Sequence, residues 1–220
     1  RRIGEAEQAL ATTVDARSGT ILLWSDTMVS LTRFGVGLSL ATIVGLVLGL
    51  FIGLFPSLQY IVLPTVRFLS FIPMLAVLPI LLIAVGIGEE MKESLIFLGV
   101  AFFITLSMYQ ATREVPQELI VKSCTLGATQ LQLAYRIVLP LIMPRLLETI
   151  RQSLGPAWLF LMAGEYIAAQ EGLGYRIYIV RRYLDMATII PYVLWIVALA
   201  YIINTIVVVA QQRLYPWKPD

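Results

Sequence analysis

Apolar positions in this chain come in long unbroken runs, separated by short polar clusters rich in charge, glycine and proline. A run of about 20 such residues is what a helix needs to cross a bilayer's hydrocarbon core. The pattern predicts crossing helices over Met28 to Phe55, Tyr60 to Ile87, Ser94 to Tyr109, Leu154 to Ala169 and Ile189 to Ala210. The working count is five, and the length leaves room for a sixth. Residues 28–220 are expected to form one all-α, polytopic transmembrane bundle, with a cytoplasmic loop at 111–145. Residues 1–27 read as a polar, extracytoplasmic segment. Because the chain opens on Arg1-Arg2 and not on Met, residues upstream are expected, and with them a further span or a signal.

Charge orients these runs. The stretch between the third and fourth carries Arg113, Lys122, Arg136, Arg145 and Arg151, which marks it as cytoplasmic. Alternation then puts the Glu89 to Glu93 turn and the N-terminus outside, with the Pro56-Ser57 turn and the tail holding Arg213 and Lys218 inside. Arg176, Arg181 and Arg182 fall outside in this scheme and run against the rule. Either the scheme is wrong or those arginines have a task.

Two runs have internal structure. Gly37, Ala41, Gly45, Gly49 and Gly53 recur every fourth residue, so one helix face lets another backbone approach closely, for packing or for sliding during gating. Pro64, Pro73 and Pro79 punctuate the second run. Prolines kink a membrane helix and free carbonyls that need partners in protein or a wet cavity, so Pro73 and Pro79 are candidates for lining a path.

Composition enters by exclusion. The chain is 59% hydrophobic and 14% charged, has no histidine, and has one cysteine, Cys124. Histidine bases, zinc sites and intrachain disulfides are thereby excluded. A formal charge of +2 gives no argument for nucleic acid. No G-x-x-x-x-G-K-[ST] occurs, so the chain has no loop of that kind to cradle a nucleotide's phosphates, and no cofactor is expected on it.

The most specific stretch runs from Glu114 to Gly127. Pro116 stands at the first helical position and Gly127 just past the end, the punctuation of a short complete helix. Thr129 and Gln132 then make a capping box for a second helix, which must stop or kink before Pro140. Leu119, Ile120, Leu126, Leu131 and Leu133 alternate with Lys122, Gln130 and Gln132, so the pair must lie against something: lipid headgroups, or a soluble partner.

The segments Val115-Pro116-Gln117-Glu118-Leu119, Thr125-Leu126-Gly127-Ala128 and Ile137-Val138-Leu139-Pro140 together resemble the "EAA" loop of binding-protein-dependent ABC importer permeases. The resemblance extends upstream to Ser30-Leu31-Thr32-Arg33 and Ile72-Pro73-Met74-Leu75-Ala76-Val77-Leu78-Pro79. Downstream it takes in Gly164-Glu165-Tyr166-Ile167-Ala168-Ala169 and Gly172-Leu173-Gly174-Tyr175. It covers the chain from about Ser30 onward and points to the branch that imports nitrate, bicarbonate, taurine and alkanesulfonates. One departure stands out: Val121-Lys122-Ser123 occupy the positions of the family's Glu-Ala-Ala.

The resemblance implies a type I (MetI-like) importer bundle in a bacterial inner membrane, with ATP and magnesium bound by separate ATP-binding subunits. It also implies an external solute-binding protein and a second permease copy. Glu118, Lys122, Ser123, Leu126, Gly127, Ala128, Leu139 and Pro140 become the expected coupling residues. Glu165, the one acidic residue inside an expected run, and Tyr166 join Pro73 and Pro79 as pathway candidates, with a tie to a neighbouring helix the equal alternative for Glu165. Arg176, Arg181 and Arg182 become candidates for an external gate or a binding-protein contact, against the alternative of solvated surface charge. Tyr175, Tyr178, Tyr183, Trp195, Tyr215 and Trp217 read as interface anchors.

Three rival functions make different demands on the sequence. An ion-driven secondary transporter predicts intramembrane carboxylates or broken helices in a repeated pattern. An integral-membrane enzyme needs a nucleophile and base, or a metal, at membrane depth. A scaffold subunit would not need the Pro116, Gly127 and Pro140 punctuation.

Overall fold

The structure is a computed structural model and describes residues 22–216, which form helices and short connections with no strand among them. The expectations for the N-terminal 21 residues, for the Trp217 anchor and for Lys218 lie outside the described residues. The elements are α1 (Leu22–Leu54), α2 (Pro56–Ser70), α3 (Met74–Val85), α4 (Glu89–Arg113), α5 (Gln117–Thr125), α6 (Gln130–Leu133), a π turn (Ala134–Val138), α7 (Leu139–Ala168), α8 (Leu173–Arg181) and α9 (Met186–Leu214).

Three boundaries differ from the sequence reading. Helix α1 begins at Leu22 and not at Met28, because Asp26 and Thr27 are polar yet buried and bonded. The second run is not one helix: α2 and α3 meet at 98°. Of its three prolines only Pro73 stands at the break, as the cap of α3, while Pro64 and Pro79 lie inside helices. Helix α7 starts at Leu139, well before Leu154, since Arg145 pairs with Glu148 one turn on and the Thr149 and Ser153 hydroxyls bond back to carbonyls four residues earlier.

The glycine face of α1 seats on α4. A side-chain carbon added at Gly37, Gly45, Gly49 or Gly53 would come within 2.8, 2.7, 2.5 and 2.5 Å of Ile96, Ile104, Met108 and Thr112 respectively. Both numberings rise together, so α1 and α4 run parallel. A parallel pair requires an odd number of crossings between its members, and the bent α2–α3 pair must supply it. Helix α7 returns antiparallel along α4: Thr149 faces Ser107 at 2.7 Å, Phe160 covers Gly99, and Gly164 sits against Leu95 and Lys92. In a membrane, where lipid is as apolar as leucine, close packing of this kind is the main source of helix cohesion. Ile96, Ile104, Met108 and Leu161 are completely buried in it.

Helix α9, by contrast, buries only Tyr192 and Leu199. The helix directions put Glu89, Glu165 and α8 at one end of the bundle, the end the charge pattern assigns to the outside, and α5 at the opposite end, assigned to the inside.

Candidate functional site

At the outer end, polar side chains from five helices close on one loop. Arg33 on α1 donates to Glu89 on α4 through Nε and Nη2, the latter at 2.8 Å, and to Oε1 of Glu165 on α7 at 2.8 Å. Lys92 Nζ reaches Glu89 Oε1 at 2.7 Å. Asp26 accepts from Arg176 Nε on α8 at 2.9 Å, and from the Tyr192 hydroxyl on α9 at 3.4 Å. Three carboxylates thus face three cations, and Asp26, Arg33, Lys92 and Glu165 are all buried.

The loop between α7 and α8 is held by its backbone. The amides of Gly172, Leu173 and Gly174 donate in turn to Asp26 Oδ1 at 3.1 Å, Ser30 Oγ at 2.9 Å and Glu165 Oε2 at 2.8 Å. Ser30 Oγ in turn donates to Glu165 Oε1 at 2.7 Å, and Arg33 Nη1 to the Glu171 carbonyl at 2.7 Å. Gly172 has φ +121, and a side-chain carbon there would lie 2.5 Å from Glu165 Oε1. Only glycine lets the backbone approach the carboxylate this way.

Glu165 therefore faces no open surface: it is fully buried, and both its oxygens accept bonds from protein. The sequence reading found Ser30, Arg33, Glu165 and Gly172 to Gly174 as separate fragments, and the fold brings them into one cluster. It missed Asp26, Glu89 and Lys92. Asp26 lay before the expected helix start, and the other two were assigned to a turn.

The three outer arginines separate. Arg176 is a member of the cluster; burial opposes its charge, but the bond and charge of Asp26 outweigh that and hold its pKa above the ordinary arginine value. Arg181 and Arg182 are exposed. Arg181 lies 5.2 Å over Tyr166 and 5.9 Å over Tyr178, and Arg182 lies 5.1 Å over Tyr178 and donates to its hydroxyl at 3.0 Å. That bond and charge hold the Tyr178 phenol below its usual range. Tyr166 meets Tyr178 edge-on at 4.6 Å. Pro73 and Pro79 lie apart from all of these, exposed on the α2–α3 pair.

At the inner end, α5 buries none of its residues. Its exit is a Schellman cap: the Gly127 amide donates to the Cys124 carbonyl and the Ala128 amide to the Ser123 carbonyl, both at 3.0 Å, with Gly127 at φ +84. The Thr129–Gln132 capping box is formed in both directions. Before Pro140 the helix neither stops nor breaks. It widens into the π turn, which accommodates a residue that cannot donate a backbone bond, and continues as α7.

Along this segment Glu118, Lys122, Leu126, Gly127 and Pro140 are exposed, with Ser123, Ala128 and Leu139 half-buried. Leu126 is 88% exposed and Leu131 62%. Anchorage to the bundle comes from Val115 before α5 and from Leu133, Ala134 and Val138 after it, all buried.

Comparison with known proteins agrees with this geometry. Residues 42–218 match the family model described as the binding-protein-dependent transport system inner membrane component. The chain is 32% identical over 198 residues to the taurine transport system permease protein TauC of Escherichia coli, covering 90% of this chain and 72% of the relative. It is 26% identical to the putative aliphatic sulfonates transport permease protein SsuC of Bacillus subtilis, covering 89% and 71%. Among solved structures, an inward-facing MetNI methionine ABC transporter superposes with a TM-score of 0.74 at 23% identity, covering 88% of this chain and 94% of that one.

Proposed function

This chain belongs to the binding-protein-dependent transport system inner membrane components, and from that premise we propose that two identical copies form a path for a small anion of the sulfonate class. The chain is a multi-pass permease subunit of an ABC importer in the inner membrane. ATP hydrolysis lies on separate subunits, and its partners are ATP-binding and solute-binding proteins.

The observation that carries the coupling part of the proposal is α5 itself: a helix closed by a Schellman cap, with no buried residue, an exposed Val121 within it and an exposed Leu126 and Leu131 beyond it. Such a helix is held at its flanks and left open along its length, as a docking element requires. Glu118, Lys122, Ser123, Leu126, Gly127 and Ala128 would meet the ATP-binding subunit. Leu139 and Pro140, next to the π turn, would pass its displacement into α7. Arg181 and Arg182 would meet the solute-binding protein, and the α2–α3 bend with Pro73 and Pro79 would border the path. The sulfonate class is supported by the names of the TauC and SsuC relatives.

Affinity purification of the tagged chain from its host membrane tests the assembly: a stoichiometric ATPase and two permease copies are expected. Uptake of radiolabelled taurine by the reconstituted importer tests the solute. A chain that purifies alone from actively transporting membranes would overturn the coupling reading.

A further inference from the structure

We infer that Arg176 is a positioning residue: its fork on Asp26 sets the rotation of α8 that presents Arg181 and Arg182 to carboxylates of the solute-binding protein. This rests on the reading that those two arginines meet that partner, and it adds the residues that aim them and the chemistry they take.

Helix α8 needs such a setting. It is buried only at Leu173 and Gly174, and Tyr175 to Val180 are half-buried. Asp26 on α1 grips it at two places one turn apart. Oδ1 accepts the Gly172 amide at 3.1 Å, while Arg176 donates through Nε to Oδ2 at 2.9 Å and through Nη2 to Oδ1 at 3.3 Å. A single bond would leave the helix free to pivot; an amide and a fork on one carboxylate fix its rotation. The carboxylate is itself held in place, since Asp26 is buried and its Oδ2 also accepts from the Tyr192 hydroxyl of α9.

The rotation decides what α8 shows. At 3.6 residues per turn, Arg181, Tyr178 and Arg182 stand about 140°, 200° and 240° around the helix from Arg176, so turning Arg176 toward α1 puts all three on the opposite side. Arg182 belongs to this count because it continues the helical backbone as the C-cap of α8. In that position Tyr178 meets Tyr166 of α7 edge-on, and Arg181 lies over both rings. Arg182 lies over Tyr178 and donates to its hydroxyl. Long side chains already held over aromatic rings have less freedom to lose on binding.

Charge selects the ligand. Neither Arg181 nor Arg182 forms an ion pair among the described residues. Asp185, the carboxylate closest to them along the chain, is taken up as the cap of α9, accepting from the Ala187 and Thr188 amides and the Thr188 hydroxyl. Two adjacent guanidiniums without a counter-charge match carboxylates, whose oxygens accept the N–H fork.

The test titrates the solute-binding protein against the assembled, reconstituted importer and reads ATP hydrolysis, separating the half-saturating concentration from the maximal rate. Asp26→Asn with Arg176→Gln replaces the ion pair by a neutral hydrogen-bonding pair and leaves no buried charge unpaired. It should raise half-saturation about fivefold, a larger change than in the maximal rate. Arg176→Lys, which keeps the charge and loses the fork, should shift half-saturation in the same direction and serves where the neutral pair fails to assemble. Arg181→Gln with Arg182→Gln should shift it by as much, and combining all four substitutions should add nothing further, because one pair acts through the other. Additive shifts, or a neutral pair that lowers the maximal rate alone, would overturn the positioning role and leave the docking reading intact. Half-saturation unmoved by Arg181→Gln with Arg182→Gln would overturn the docking reading, and the positioning role with it.

Discussion

The outer charge cluster and the inner α5 segment are both polar, both depend on a glycine with positive φ, and both lie where helices turn. They differ in completeness. At the outer end both oxygens of Glu165 accept bonds from within the chain, and three consecutive amides at the start of α8 each have a side-chain acceptor. At the inner end α5 has its Schellman exit and α6 its capping box, while the apolar side chains there stay exposed. A region finished by its own chain holds shape; a region left unfinished is what the proposed docking requires. Gly172 and Gly127 repeat the contrast, the first pressed against a carboxylate and the second with open space around it.

Removing one partner of a buried ion pair leaves the other charge uncompensated, at a cost of about 3–5 kcal/mol. Glu165→Ala should therefore strip most of the permease from the membrane fraction, and Arg33→Gln should do the same, as read by immunoblot and by thermal unfolding in detergent. Wild-type stability in both variants would dissolve the contrast.

Gly172→Ala comes next. It combines a strained backbone with a contact to Glu165, and a cost of about 1–3 kcal/mol is expected. The variant should accumulate at reduced level and unfold at lower temperature.

The inner end should respond differently. Gly127→Leu adds only the local left-handed penalty of about 1–2 kcal/mol, so the protein should persist in the membrane, yet binding-protein-stimulated ATP hydrolysis and solute uptake should come apart or the ATPase should fail to assemble. Equal loss of protein in Gly127→Leu and Glu165→Ala would show the two ends to be alike.

The smallest effect on the chain belongs to Leu126→Ser. Its side chain is exposed, so unfolding temperature should not move, while ATPase retention during purification should fall about tenfold, the equivalent of about 1.4 kcal/mol at a docking contact. Full retention would remove Leu126 from the interface.

Legibility followed the range of the interactions. Pro116, Gly127, Thr129 and Gln132 act on backbone groups within a few residues of themselves, so α5 with its exit and the capping box of α6 could be drawn from spacing alone. Pro140 misled, because a helix can absorb a missing donor by widening one turn, and no local rule decides between widening and stopping. Asp26 and Lys92 were passed over for a related reason: a charged residue near a run's end looks like solvent-facing punctuation until a partner from a distant segment buries it.

What the sequence determined by itself is what repeats or lies close along the chain: apolar runs long enough to span, the glycine face of α1, the exit of α5 with the capping box of α6, and the absence of histidine chemistry. Tertiary structure alone decided which helix that glycine face would meet, that Tyr60 to Ile87 would bend by 98° at Pro73, and that Ser30, Arg33, Glu165 and the Gly172 to Gly174 amides would share one cluster. The reason is physical. Backbone capping and hydrophobic length are settled by neighbours, whereas a buried charge is stable only if the fold delivers its counter-charge, and for Arg33 and Glu165 that meeting spans 132 residues.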